Sequence, residues 1–169
     1  DEKLYNPPQA LNLYQEYLEK YSGRHSLRAE VRMKTLKRYR SVDPMKYREF
    51  QLVLNSYRYG DNQTLVRNLE QFISDNPEYT HLDDALFWLA NEYRGRKRIP
   101  DTDADFDGFR KAIPVYEKIL EQYPDTPHRL TVLKNIGDCH YFLKSYDTAK
   151  KYFDMVEAEG GNLGKRLIG

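Results

Sequence analysis

Asp103, Asp105, Asp107 and Gly108 spell D-x-D-x-D-G. This is the opening of an EF-hand calcium loop, where alternate carboxylates converge on one hard cation and the glycine permits the sharp turn. The pattern then breaks. Pro114 stands where that loop needs its bidentate glutamate, and Lys111 where a further oxygen ligand would help. Three expectations compete for the segment: a calcium site on Asp103, Asp105 and Asp107, a solvated acidic loop neutralised by Arg94, Arg96, Lys97 and Arg98, or an N-cap for the helix that follows.

Other reactive residue types do not assemble into a catalytic pattern. Cys139 and His140 are adjacent, so on a helix they point about 100° apart and form no nucleophile–base pair by themselves. Gly160, Gly164 and Lys165 imitate a phosphate loop, but the spacing is short, Arg166 replaces the hydroxyl residue and no strand precedes them. The expectation is a protein that is not an enzyme and carries no cofactor, calcium being the one alternative.

Charge narrows the partners. Lys and Arg total 27 against 26 Asp and Glu, a net charge of +1 that gives no global attraction for nucleic acid or anionic lipid. Residues 24–40 are locally basic, with Arg24, Arg28, Arg32, Lys34, Lys37, Arg38 and Arg40 against Glu30. No recognised base-reading element accompanies them, so a solvated or lipid-headgroup-facing surface is expected and nucleic acid is not. Cys139 is the only cysteine, which excludes an intrachain disulfide and a cysteine-rich metal site. No apolar run reaches the roughly 18 residues needed to span a bilayer, and no signal peptide is evident. The chain opens on Asp1 rather than methionine, as a piece of something longer would.

The elements that must position these residues repeat. Ala112, Tyr116, Ile119 recurs as Ala149, Phe153, Val156, 37 residues on, and weaker copies stand at Leu65, Leu69, Phe72 and at Ala29, Met33, Leu36. Breakers at Ser41, Pro77, Pro124 and Gly161 share the phase. A period of this length is the mark of stacked helical pairs that cannot bury their apolar faces alone. Periodicity predicts eight helices over about 7–21, 26–40, 44–59, 62–75, 82–95, 110–123, 128–143 and 146–158, with a ten-residue loop insertion in the third pair. Gly137 and Ala149 are small where two helices of the last pair must approach to about 8–10 Å.

Leu133, Ile136, Gly137, Ala149, Phe153 and the Gly161 breaker resemble a tetratricopeptide repeat, and Leu86, Leu89, Ala90, Tyr93, Ala112, Tyr116 and Pro124 form a second match. Leu133 and Leu86 fill the slot usually given to Trp, and His140 that of Tyr. Degenerate copies lie on Leu52, Val53, Leu65, Leu69, Phe72 and Pro77, and around Leu13, Tyr17, Ala29, Met33 and Leu36. The resemblance implies one all-α domain over 1–169, a right-handed solenoid of four antiparallel hairpins with repeats near 10–43, 46–79, 83–126 and 130–163. The wording of residues 116–127, YEKILEQYPDTP, is similar in style to envelope-associated bacterial members such as outer-membrane assembly lipoproteins and Tol-Pal accessory proteins. A periplasmic or outer-membrane-associated location is therefore expected, with the cytoplasm as the alternative and lipid anchoring possible only through an upstream site.

In such a solenoid the first helix of each pair lines a concave groove. The repeat phase points Tyr14, Leu18 and Tyr21, then Phe50, Leu54 and Tyr57, then Phe87, Asn91 and Arg94, then Lys134, Asp138 and Tyr141 into it. Many are aromatic, as peptide-binding surfaces favour. Tyr14, Leu18 and Tyr21 equally suit packing against an N-terminal neighbour. Some relatives grip a terminal carboxylate with a Lys and an Asn one turn apart; Lys134 is followed by Asp138, and Asn91 is preceded by Phe87, so that clamp is not reproduced. The expected function is a non-catalytic scaffold that binds a protein segment, the alternative a calcium-binding structural or regulatory module.

Overall fold

The computed structural model describes residues 6–56, 62–95, 100 and 102–160. Its regular structure there is entirely helical: α1 (Pro7–Lys20), α2 (Arg24–Arg38), α3 (Pro44–Asn55), α4 (Asn62–Asp75), α5 (Leu82–Arg94), α6 (Asp103–Gln122), α7 (Arg129–Phe142) and α8 (Tyr146–Ala158). No helix among the described residues is long and apolar enough to cross a membrane.

Local chemistry sets the helix starts. Asn6 accepts a hydrogen bond from the Gln9 amide at 3.2 Å, with prolines in the first turn that have no N–H to satisfy. Asp43 does the same for the Met45 amide at 2.7 Å ahead of Pro44. The start of α6 corrects the expected boundary by seven residues. Thr102 accepts from the Asp105 amide, and the Asp105 carboxylate accepts back from the Thr102 amide at 3.1 Å, a reciprocal capping box. The helix then runs through Pro114, whose ring lies on the exposed side.

The repeat phase matches the buried face. Of the twelve residues in the four copies, ten are buried, and only Met33 and Phe153 are intermediate. Each helix packs chiefly on its neighbour in sequence, α5 on α6 and α7 on α8 most extensively, with α1 on α2, α4 on α5, α6 on α7 and α3 on α4. Arg129 at the start of α7 pairs with Glu159 just past the end of α8 at 2.8 Å, so those two helices are antiparallel. Two glycines sit where neighbouring helices approach closely. A Cβ on Gly108 would sit 2.3 Å from the Tyr93 carbonyl oxygen, and one on Gly137 would sit 2.4 Å from the Phe153 ring.

The connectors repeat too. Before α5, the Tyr79 amide donates to the Asn76 carbonyl at 3.0 Å and the Leu82 amide to the Tyr79 carbonyl at 3.0 Å. Before α7, and 47 residues on, Thr126 donates to Tyr123 at 3.0 Å and Arg129 to Thr126 at 3.2 Å. Pro77 and Pro124, and His81 and His128, occupy matching places in these turns.

The second pair departs from the expected phase. Phe50 is buried to 1% against Phe72 and Tyr79, while Leu52, expected in a packing slot of its repeat, is 52% exposed. The α3 stripe is thus Tyr47, Phe50 and Leu54, 36 rather than 37 residues before Asp83, Leu86 and Ala90. A slip of one residue turns a helix by about 100°, enough to exchange core for surface.

Candidate functional site

The first turn of α5 holds consecutive acids, Asp83 and Asp84, where the helix dipole favours negative charge. Both are buried, at 3% and 4% exposure. Arg38, at the end of α2, spans them: Nη2 reaches Asp83 at 2.6 Å and Nε reaches Asp84 at 3.0 Å. The Thr126 hydroxyl donates to Asp83 at 2.6 Å, the Tyr39 hydroxyl to Asp84 at 2.5 Å, and His128 Nε2 lies 2.5 Å from the other Asp84 oxygen. His81 Nε2 meets the Arg38 carbonyl at 2.7 Å. Burial pushes the Asp84 carboxyl up, yet the bonds from His128, Tyr39 and Arg38 outweigh it and hold it below the ordinary carboxylate value. Burial and the neighbouring Asp84 push the Tyr39 phenol well above its usual range, so it stays a donor.

His81, Asp83 and Asp84 place one ligand atom each within 4.8 Å of one another, the one such group among the described residues. The Arg38 guanidinium already supplies their counter-charge, so a cation there would compete with a hydrogen-bonded arginine. Chemically the cluster is a tie. It binds the end of α2, the start of α5 and the connector before α7 at one place.

The acidic triplet forms no loop. Asp103, Asp105 and Asp107 all lie within α6, where successive alternate positions point about 200° apart round the axis and do not converge on one cation. Asp105 is engaged in the capping box, and Asp107 pairs with Arg110 at 2.7 Å. Of the three readings of this segment, the structure shows the helix cap. Arg96, Lys97 and Arg98 lie outside the described residues.

The expected groove residues divide. Phe50 belongs to the core, and Tyr57 lies outside the described residues. Leu54 is half-buried against the core. Phe87 stacks on His128 with ring centroids 4.0 Å apart and planes 5° from parallel. Asn91 accepts from the Tyr116 hydroxyl at 2.7 Å and from Asn135 at 3.2 Å, which joins α5, α6 and α7. Half-buried Arg94 stands beside Tyr116 and Cys139; burial, only partly offset by Arg94, pushes the Cys139 thiol up to about 12, far from a reactive thiolate. Lys134 pairs with Asp138 at 2.5 Å, and Tyr141 is 38% exposed. His140 stacks on Tyr152 and burial lowers its pKa, against the pull of Glu117, as its packing slot implies.

Trp88, the only tryptophan, escaped the sequence pattern. It is 41% exposed on α5, immediately after Phe87. A large aromatic left in water on a helix otherwise well buried is the signal that marks it. No protein-family model, no curated protein and no solved structure matches the chain.

Proposed function

We propose that the chain is a tetratricopeptide-like, right-handed solenoid of four hairpins that acts as a non-catalytic scaffold, holding a protein segment along the first helices of its pairs. Sequential packing and two matching connectors support the architecture. One observation carries the binding surface: the third and fourth pairs leave Trp88, Lys134 and Tyr141 accessible on α5 and α7 while the layer beneath is close-packed. Exposed aromatics on a rigid support offer contact area at low entropic cost. The envelope location remains a proposal resting on the wording of residues 116–127, and cell fractionation tests it.

Replacing Trp88 and Tyr141 together by Ala is expected to remove most of the proteins retained by the immobilised chain from a lysate of its source cells, with helical circular dichroism unchanged. Both side chains are exposed, so folding tolerates the change. An unchanged set of retained proteins would sink the proposed surface.

A further inference from the structure

The first hairpin carries a second, chemically different surface. Between α1 and α2 runs an open cavity of about 600 Å³, against about 280 and 360 Å³ for two others on the protein. Its floor is apolar and comes from α1: Ala10, Leu13 and Tyr17, with Leu13 51% exposed. Its α2 side carries His25, Arg28 and Arg32 beside the buried Ala29. No acidic residue lines it.

Three features say what it receives. Arg28 and Arg32 stand one helical turn apart and have no ion-pair partner among the described residues, unlike Arg38, Arg110 and Arg129, which are all paired. Glu30, the one acid of α2, is two residues from each and so points about 160° away round the helix. Ala10 to Tyr17 spans about 10 Å, two helical turns, and the Leu13–Tyr17 step matches the Arg28–Arg32 step. A concave trough with an apolar floor and a row of unpaired cations along one wall is complementary to a helix with an apolar ridge and a row of carboxylates beside it.

We propose that the groove between α1 and α2 docks an acidic amphipathic helix of a partner protein, its apolar ridge on Leu13 and Tyr17 and its carboxylates on Arg28 and Arg32. This surface is separate from the one on α5 and α7 and does not depend on it. The docked helix places leucines at i, i+4 and i+7 against α1, with Glu or Asp at flanking positions one turn apart.

Two synthetic helical peptides test it, both with leucine at i, i+4, i+7 and i+11, one flanked by Glu and the other by Lys. Amide shifts of the isotope-labelled chain are followed by nuclear magnetic resonance. The Glu peptide is expected to give saturable shifts confined to residues of α1 and α2, with affinity at least tenfold above the Lys peptide. The exposed double variant Arg28→Glu/Arg32→Glu is expected to weaken it at least tenfold and to reverse the preference, while Leu13→Asp weakens both peptides. Trp88→Ala is expected to leave it unchanged, which separates this site from the α5–α7 surface. Absence of saturable shifts, equal binding of both peptides, or shifts centred on α5 and α7 would overturn the proposal. So would sedimentation with phosphatidylserine vesicles through Arg28 and Arg32 by a chain that does not bind the Glu peptide, which would make the surface a membrane contact.

Discussion

Arg38 is the residue on which the connectors converge. Its side chain is 27% exposed, and the carboxylates it holds are 4% and 5% exposed, so a buried charge is left behind if it is removed. Breaking a buried pair from one side costs more than the pair contributes, and Arg38→Ala is expected to destabilise the fold by about 3 kcal/mol in chemical denaturation. A loss within error of zero would mean that water replaces the guanidinium freely. Asp84 adds a pH signature. Its folded pKa lies below its unfolded one, so its contribution is full above the unfolded value near 4 and disappears as pH falls through the folded value. The difference in stability between the parent and Asp84→Asn is therefore expected to shrink as pH falls below 4. A gap that widened on acidification would reverse the assigned sign.

At the scale of elements, the α7–α8 crossing depends on small residues on both sides. Gly137 faces the Phe153 ring too closely for any Cβ without a shift of that ring, and Ala149 is buried to 2%. Ala149→Leu is expected to cost about 1–3 kcal/mol, because extra methylenes in a packed crossing force neighbours off their rotamers. Thermal melting decides it, and a mutant that melted with the parent would show a crossing with room to spare. The connectors explain how such pairs join. His81 reaches back to the Arg38 carbonyl and His128 back to Asp84, so matching histidines each tie a new helix to the structure before it. Glu70 and Glu117, which hold matching places on α4 and α6, likewise accept hydrogen bonds from Tyr93 and Tyr152 of later helices.

For the whole molecule, the proposed solenoid makes a prediction about shape. A compact 169-residue globule has a radius of gyration of about 15 Å, and the proposed solenoid is expected to exceed it clearly in small-angle X-ray scattering. A compact value would contradict the superhelical arrangement while leaving the helices intact. Those helices were legible in the sequence because burial on one face imposes a 3.6-residue period whatever the partner. The copies at Ala112 and Ala149 also carried the small residues that close packing requires. Phase was less legible in α3, where no Gly or Trp fixes the register, and a one-residue difference in spacing moved Phe50 from the expected groove into the core. The D-x-D-x-D-G run spelled a calcium loop in one dimension. Thr102 decided otherwise, since a hydroxyl three residues ahead of Asp105 completes a helix cap from backbone bonds already within reach. Sequence by itself determined what local forces govern: the helices of the described residues, most of their boundaries and the buried stripe. Only the tertiary structure decided which charges meet, because Arg38 and Asp84 stand 46 residues apart and nothing in either segment names the other. It also decided where the open groove lies, since a cavity is a property of two helices together and of neither alone.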